Sequence, residues 1–299
     1  MKRLYHYPIM LVMTILAVIC LIGCETAAFV RYVVLDPYIY SESMVRGRVE
    51  DIIYDNLVEY FNRFSAPTGI PGEVFTAKLD KDALFNASYQ LTADSLAYLT
   101  DSNAPKPEIR FDFAPIETYV DSYIIGYTQA NGFEVDEEVL KLVDNTHKTI
   151  ESQITGQLDV SLLYTLSQTA YAPMMHKFSG LIEKAVYICG GVCAVLLLAM
   201  VIVDRKHPRD LPYWLGATFF SSGIIILVPA LYLRKISYFD SFFMRTDNVY
   251  KTITGVCNTL LTRVINTQTV VAIFGVFLIL ATVGIHMLYM SYLKKKKRR

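Results

Sequence analysis

Ala185–Val203, AVYICGGVCAVLLLAMVIV, and Leu211–Leu233, LPYWLGATFFSSGIIILVPALYL, carry no charged side chain over 19 and 23 residues. A hydrocarbon core about 30 Å thick takes roughly 20 helical residues to cross, so each run is long enough to span it. Only Asp204-Arg205-Lys206-His207-Pro208-Arg209-Asp210 separates them. That spacing predicts an antiparallel transmembrane hairpin, 185–233, turning at a hinge, 204–210. Arg205, Lys206 and Arg209 make the hinge basic, and short cytoplasmic loops collect such cations. The hinge is therefore expected in the cytoplasm.

Outward from the hairpin, the remaining apolar stretches fit the same frame. Residues 267–293 form the last span and run into a basic tail, 294–299, of Lys294, Lys295, Lys296, Lys297, Arg298 and Arg299. At the other end, Lys2 and Arg3 precede Pro8 to Cys24, whose apolar character extends to Val34, so 1–34 reads as an N-terminal span. Four spans with both termini inside place residues 35–184 outside as one large domain and 234–266 as a second outer loop. Arg234, Lys235, Arg245, Lys251 and Arg263 in the second loop run against the charge rule, but hinge and tail outvote them.

Charge follows this division. The chain is formally neutral and 53% hydrophobic. Between Leu35 and Gly180, however, 22 Asp and Glu face 10 Lys and Arg, an excess of 12 negative charges. Such a domain is not expected to bind nucleic acid, because affinity for phosphate backbones is supplied by Lys and Arg. Cations, basic peptides and cationic wall polymers suit it electrostatically, and the same acidity would also solubilise a helical domain without any ligand.

The first span allows two readings. Leu21-Ile22-Gly23-Cys24 after a basic start resembles a bacterial lipoprotein signal with its lipobox, which implies acylation of Cys24 and cleavage before it. An uncleaved signal anchor whose helix continues through Thr26 to Val34 is the other reading, and the favoured one. Both termini are then cytoplasmic unless the segment is cleaved. None of the five cysteines lies between Leu35 and Lys184, so the large domain is no disulfide scaffold. Cys20 and Cys24, like Cys189 and Cys193, lie four apart and share a helix face. Small residues packing helix on helix account for them more simply than metal or redox chemistry.

Within 35–184 the pattern predicts about five helices. Asp36-Pro37 starts the first, whose apolar residues from Val45 to Phe64 recur at three and four. A Pro- and Gly-rich turn, 65–72, and a short extended piece, Glu73 to Leu79, follow. Asp80 caps a second helix, Pro115 opens a third that stops at Asn131-Gly132, and Asp136 starts a fourth. Leu158 to Tyr171 reads as a fifth, and after Pro173 helix continues into the second span. The fold class is all-α: four transmembrane helices with an extracytoplasmic bundle between spans 1 and 2. In the second outer loop, Asp247 caps a helix from Val249 to Ile265. The aromatic run before it, with Tyr238, Phe239, Phe242 and Phe243, fits an interfacial belt and forms the candidate interaction patch.

The search for chemistry finds no catalytic signature. The five histidines are scattered, and none stands in an HExxH or HxxxH arrangement. Asp80, Asp82 and Asn86 lack the Gly and terminal Glu of a calcium loop. Asp136, Glu137 and Glu138 are explained by the helix dipole at a first turn. No G-x-S-x-G, P-loop or dinucleotide fingerprint occurs. No catalytic residue, metal ligand or cofactor is therefore expected. Spans nearly free of ionisable groups also lack a permeation pattern.

Leu35-Asp36-Pro37-Tyr38-Ile39-Tyr40 directly after the first span, then Val45-Arg46-Gly47-Arg48-Val49-Glu50-Asp51-Ile52-Ile53, resembles uncharacterised four-span membrane proteins of Gram-positive bacteria, a resemblance that implies no activity. The span order is loosely similar to lipoprotein intramolecular transacylases, but 234–266 holds no histidine. The expectation is a multi-pass protein of the cell membrane, without catalysis of its own. Its acidic domain would bind a protein, peptide or envelope component as sensor, anchor or complex subunit. Membrane lipids, and a protein partner or a second copy, are its expected partners. The alternatives are an outer-leaflet lipid- or acyl-modifying enzyme with a polar cluster near His176, and a transporter or permease subunit.

Overall fold

The computed structural model describes residues 2–206, 210–244 and 246–297, with side chains for 7–205, 210–244 and 246–290. Arg209, Arg298 and Arg299 of the topology set lie outside the described residues. Lys2, Arg3, Lys206 and Lys294 to Lys297 lie outside the described side chains. The described chain is helical, with no strand among the described residues. Helix α1, Lys2–Phe29, continues as a π-helical turn, Val30–Val34. There follow α2 Pro37–Gly47, α3 Val49–Thr68, α4 Gly72–Thr76, α5 Lys81–Thr100, α6 Ala114–Ala130, α7 Glu137–Leu158 and α8 Leu163–Ser167. Three long helices complete the chain: α9 Ala172–Val203, α10 Leu211–Lys235 and α11 Asp247–Lys297.

Four segments are long and apolar enough to cross a membrane: Tyr7–Val34, Ala172–Val203, Leu211–Lys235 and Asp247–Met290. The chain forms two compact units. One comprises Met1–Asp36, Lys177–Ser241 and Asn258–Arg299; the other comprises Pro37–His176 and Phe242–Cys257. The expected domains 35–184 and 234–266 therefore do not coincide with the units. The helical unit takes in 242–257, and the remainder of 234–266 belongs with the apolar helices.

In the unit built on residues 37–176, one core gathers Ile53, Leu57, Phe61, Phe75, Leu84, Leu91, Val120, Ile124, Ile150 and Ile154. Apart from Phe75 of α4, the sequence places these residues on one face of α3, α5, α6 and α7 by three- and four-residue spacing. Aromatic rings close its centre, with Phe61 stacked on Phe75 at 4.9 Å and 9°. Gly72 sits where α4 meets α3: a Cβ there would lie 2.9 Å from the backbone of Asn62.

Caps set the starts of α5 and α7 as the sequence predicts, whereas α11 starts at Asp247 itself and Asn248 accepts the Val249 N–H at 2.9 Å. The Asp80 carboxylate accepts the Asp82 N–H at 3.1 Å. That of Asp136 accepts the N–H groups of Glu138 and Val139, each at 3.0 Å. Such caps satisfy the donors that a first helical turn leaves without partners.

Three local expectations change. The helix expected from Asp36 to Phe64 breaks at Arg48, which takes a left-handed conformation (φ 48°, ψ 50°). Its N–H still closes onto the Val45 carbonyl at 3.2 Å, while its own carbonyl starts α3 by accepting from Asp51 at 3.1 Å. The stretch 73–79 is not extended: α4 turns within it and buries Val74 and Phe75 together. The fifth helix shrinks to α8, because the Asp159 carboxylate accepts the N–H groups of Tyr164 and Thr165 at 3.2 and 2.8 Å. A side chain bonded forward to the backbone in this way competes with helix continuation.

The apolar unit packs through small residues and one aromatic corner. Tyr7 meets Trp214 edge-on at 5.2 Å, beside Met10, Ala17 and Met200. Between α10 and α11 the backbones approach so closely that a Cβ on Gly216 would stand 2.8 Å from the Gly275 carbonyl. A Cβ on Gly223 would stand 2.9 Å from the Ala272 nitrogen. Small residues at helix contacts in lipid allow this closeness. The expected boundary at 266/267 is no helix boundary, because α11 runs unbroken for 51 residues.

Candidate functional site

A groove of about 610 Å³ with both charge and aromatic character lies between the end of α3, the end of α6 and the start of α7. Each wall follows from local sequence. Gly69, at φ 71°, ends α3 and donates its N–H to the Ser65 carbonyl at 2.9 Å, turning Ile70 into the core. A left-handed terminator of this kind is glycine's usual role at a helix end. On α6, Tyr123 and Tyr127 lie four apart, their rings stacked with centroids 6.2 Å apart. Asn131 and Gly132 then reverse the chain, Gly132 at φ 77°, and deliver Phe133 and the acidic start of α7 to the rim.

Glu134, Asp136 and Glu138 line the groove, and no Lys or Arg is among its described lining residues. Asp136 is held by its capping bonds, whereas Glu134 and Glu138 are exposed. Tyr127 is 63% exposed and Phe133 70%, so large aromatic surfaces stand open to solvent beside fixed negative charge. Aromatic faces and carboxylates share one preference, for cations. A groove of this size and composition suits a lysine- or arginine-bearing segment, or an organic amine, in an orientation set by the rim.

On a neighbouring face of α6 and α7, Glu117 and Asp121 oppose His147 and Glu151. The His147 ring and the Asp121 carboxylate lie 2.6 Å apart at Nε2 and Oδ1. Burial raises the Glu117 carboxyl above its ordinary value, and the carboxylates of Glu151 and Asp121 push the same way against the opposing His147. Hydrogen bonding with Glu151 raises the Glu117 carboxyl further. Its folded pKa is thus above the unfolded one, so its stabilisation is complete below the unfolded pKa and is lost as pH rises through the folded value. Glu117→Gln is expected to remove that loss. Thermal unfolding of the full chain in micelles across the acid-to-neutral range should show a flatter pH profile for the variant.

At the start of α3, Asp51 pairs with Arg48 at 2.5 Å and with Lys81 at 2.6 Å, the Lys81 ammonium lying 4.8 Å over the Tyr54 ring. The hydrogen bond from Lys81 lowers the Asp51 carboxyl. Among the described residues no group of three His, Cys, Asp or Glu could hold a metal ion. Asp80 and Asp136 act as caps.

The candidate interaction patch is divided between the two units. Tyr238 and Phe239 meet edge-on at 5.4 Å, and Phe239 packs on Ala230, Leu261 and Ile265 in the apolar unit. Phe242 and Phe243 belong to the other unit, where Phe243 is 97% exposed. His176 donates from Nε2 to the Tyr98 carbonyl, 2.6 Å away, with its ring edge-on to that tyrosine. In the apolar unit, Gln268 donates to the Glu25 carboxylate at 3.2 Å. Tyr213, Thr282, His286 and Met290 are among the residues lining a mainly apolar cleft of about 580 Å³.

The sequence held the signals for the groove, two tyrosines four apart and an acidic run after Asn-Gly. Read singly, these were helix content and a cap. Their convergence depends on α3, α6 and α7 sharing one core, which no periodicity encodes.

Comparison with protein-family models, with curated proteins and with solved structures finds no match to the chain. What the fold defines is a class: an all-helical protein with four segments able to cross a membrane.

Proposed function

We propose that this chain is a multi-pass cell-membrane protein whose residues 37–176 face away from the cytoplasm and bind a cationic segment of a protein, peptide or envelope component, without catalysis. The groove between α3, α6 and α7 carries the reading, because open tyrosine and phenylalanine faces stand beside Glu134 and Glu138 with no cation among its described lining. Orientation is supported by the cations of hinge and tail, Lys2 and Arg3 included, and by the negative excess between Leu35 and Gly180. The acidic surface draws a cationic partner toward the groove, and the aromatic faces hold it once water is displaced.

The test is capture in intact cells by a photoreactive residue at Tyr123, followed by mass spectrometry. Capture of a basic protein or peptide is expected. Glu134→Lys with Glu138→Lys should lower it about tenfold, equivalent to about 1.4 kcal/mol. Asp136 is left in place so that α7 keeps its cap. Capture of lipid alone, or capture indifferent to the charge reversal, would overturn the reading.

A further inference from the structure

Four of the five cysteines lie on two apolar helices, α1 and α9. The helices cross so that each seats a sulfur on the other's glycine. The Cys189 Sγ lies 3.6 Å from the Cβ position of Gly23, and the Cys24 Sγ lies 3.7 Å from that of Gly190. Gly23 is the chain neighbour of Cys24, and Gly190 that of Cys189. The contact is therefore reciprocal: each sulfur lies beside the glycine that adjoins the other cysteine. Helix axes ordinarily stand about 8–10 Å apart. A disulfide needs Cα atoms within about 7 Å, which a crossing seated on glycine permits.

The surroundings select the pair. Cys24 and Cys189 are half-buried, while Cys193 is buried. Within one helix, Cys20 and Cys24 point from the same face in parallel, the wrong direction for a bond to each other. No cluster of three ligands suitable for a metal exists among the described residues, so the chemistry open to the thiols is with each other.

We infer that Cys24 and Cys189 form a redox pair that closes to an interhelical disulfide, with a lipid-soluble quinone as the oxidant. In that step the two S–H bonds break and one S–S bond forms. Two electrons and two protons pass to the quinone oxygens, giving the hydroquinone. A quinone suits the place, because thiols half-open on apolar helices are reached by an oxidant that dissolves in hydrocarbon and carries protons with its electrons. The closed bond would fix α1 to α9, and reduction would free them.

The experiment treats the full chain in nanodiscs with duroquinone, whose fully methylated ring does not readily add thiols. Alkylation of remaining thiols and peptide mass spectrometry without reductant follow. The expected result is a linked peptide pair containing Cys24 and Cys189, loss of both free thiols from most chains, and reversal by dithiothreitol. Cys24→Ser or Cys189→Ser should abolish the link, and Cys20→Ser or Cys193→Ser should leave it. Serine is close to cysteine in size, and unchanged helical circular dichroism shows that each variant is folded. Full alkylation of Cys24 and Cys189 after duroquinone, a bond between other cysteines, or recovery of Cys24 as an acylated amino terminus would overturn the inference.

Discussion

Phe61→Ala is expected to lower the unfolding free energy of the helical unit by about 3–5 kcal/mol. Phe61 is fully buried, stacks on Phe75 at 4.9 Å and meets Tyr60 edge-on at 5.4 Å. Truncation removes the transfer energy of the ring, leaves a cavity and deletes an aromatic pair worth about 0.5–1.5 kcal/mol beyond its area. Domain stabilities run at about 5–15 kcal/mol, so one ring carries a large share. Urea unfolding of the full chain in micelles, followed by near-ultraviolet circular dichroism, should show an earlier midpoint. Phe61→Leu, which keeps most of the volume, should fall between the variant and the parent. A midpoint unmoved by Phe61→Ala would show that this core does not limit stability.

Gly275→Leu is expected to break the pairing of α10 with α11. A Cβ on Gly275 would press into the backbone of Phe220 and stand 2.8 Å from the Gly216 carbonyl. Backbone cannot rotate aside as a flexible side chain can, so the helices must separate along the seam. Overpacking in a well-fitted core costs about 1–3 kcal/mol, and a clash with backbone belongs at or above the top of that range. Gly284, nine residues on in the same helix, has nothing within 4 Å of its Cβ position. Gly284→Leu is therefore the control. Thermal aggregation in detergent should begin well below the parent's temperature for Gly275→Leu and near it for Gly284→Leu. Equal behaviour of the two variants would remove the seam from the account of stability.

The apolar runs, the caps at Asp80 and Asp136 and the stop at Asn131-Gly132 were legible because each acts within a few residues. Breaks that depend on one side chain were not. Arg48 has no residue-type signature for its left-handed conformation, and Asp159 reads like any acidic residue until its bonds to Tyr164 and Thr165 are seen. The last span reads as 267–293 from its apolar content; yet no Gly or Pro interrupts 256–274, and α11 continues through residue 267. Hydropathy locates where lipid could begin, not where a helix does. The site was less legible than the fold. Tyr123, Tyr127 and Glu138 were each visible, and so was the i, i+4 spacing of both cysteine pairs. Their meeting is a tertiary fact.

The groove has one property that concerns its assembly. Every residue lining it lies between Thr68 and Leu142, and two of its walls are joined by the short reversal at Asn131 and Gly132. Chain entropy penalises the closing of distant segments more than near ones, and contacts between close neighbours in sequence form early in folding. During synthesis this stretch leaves the ribosome before α9, α10 and α11. The walls of the groove can thus be in place while most of the apolar helices have yet to be made.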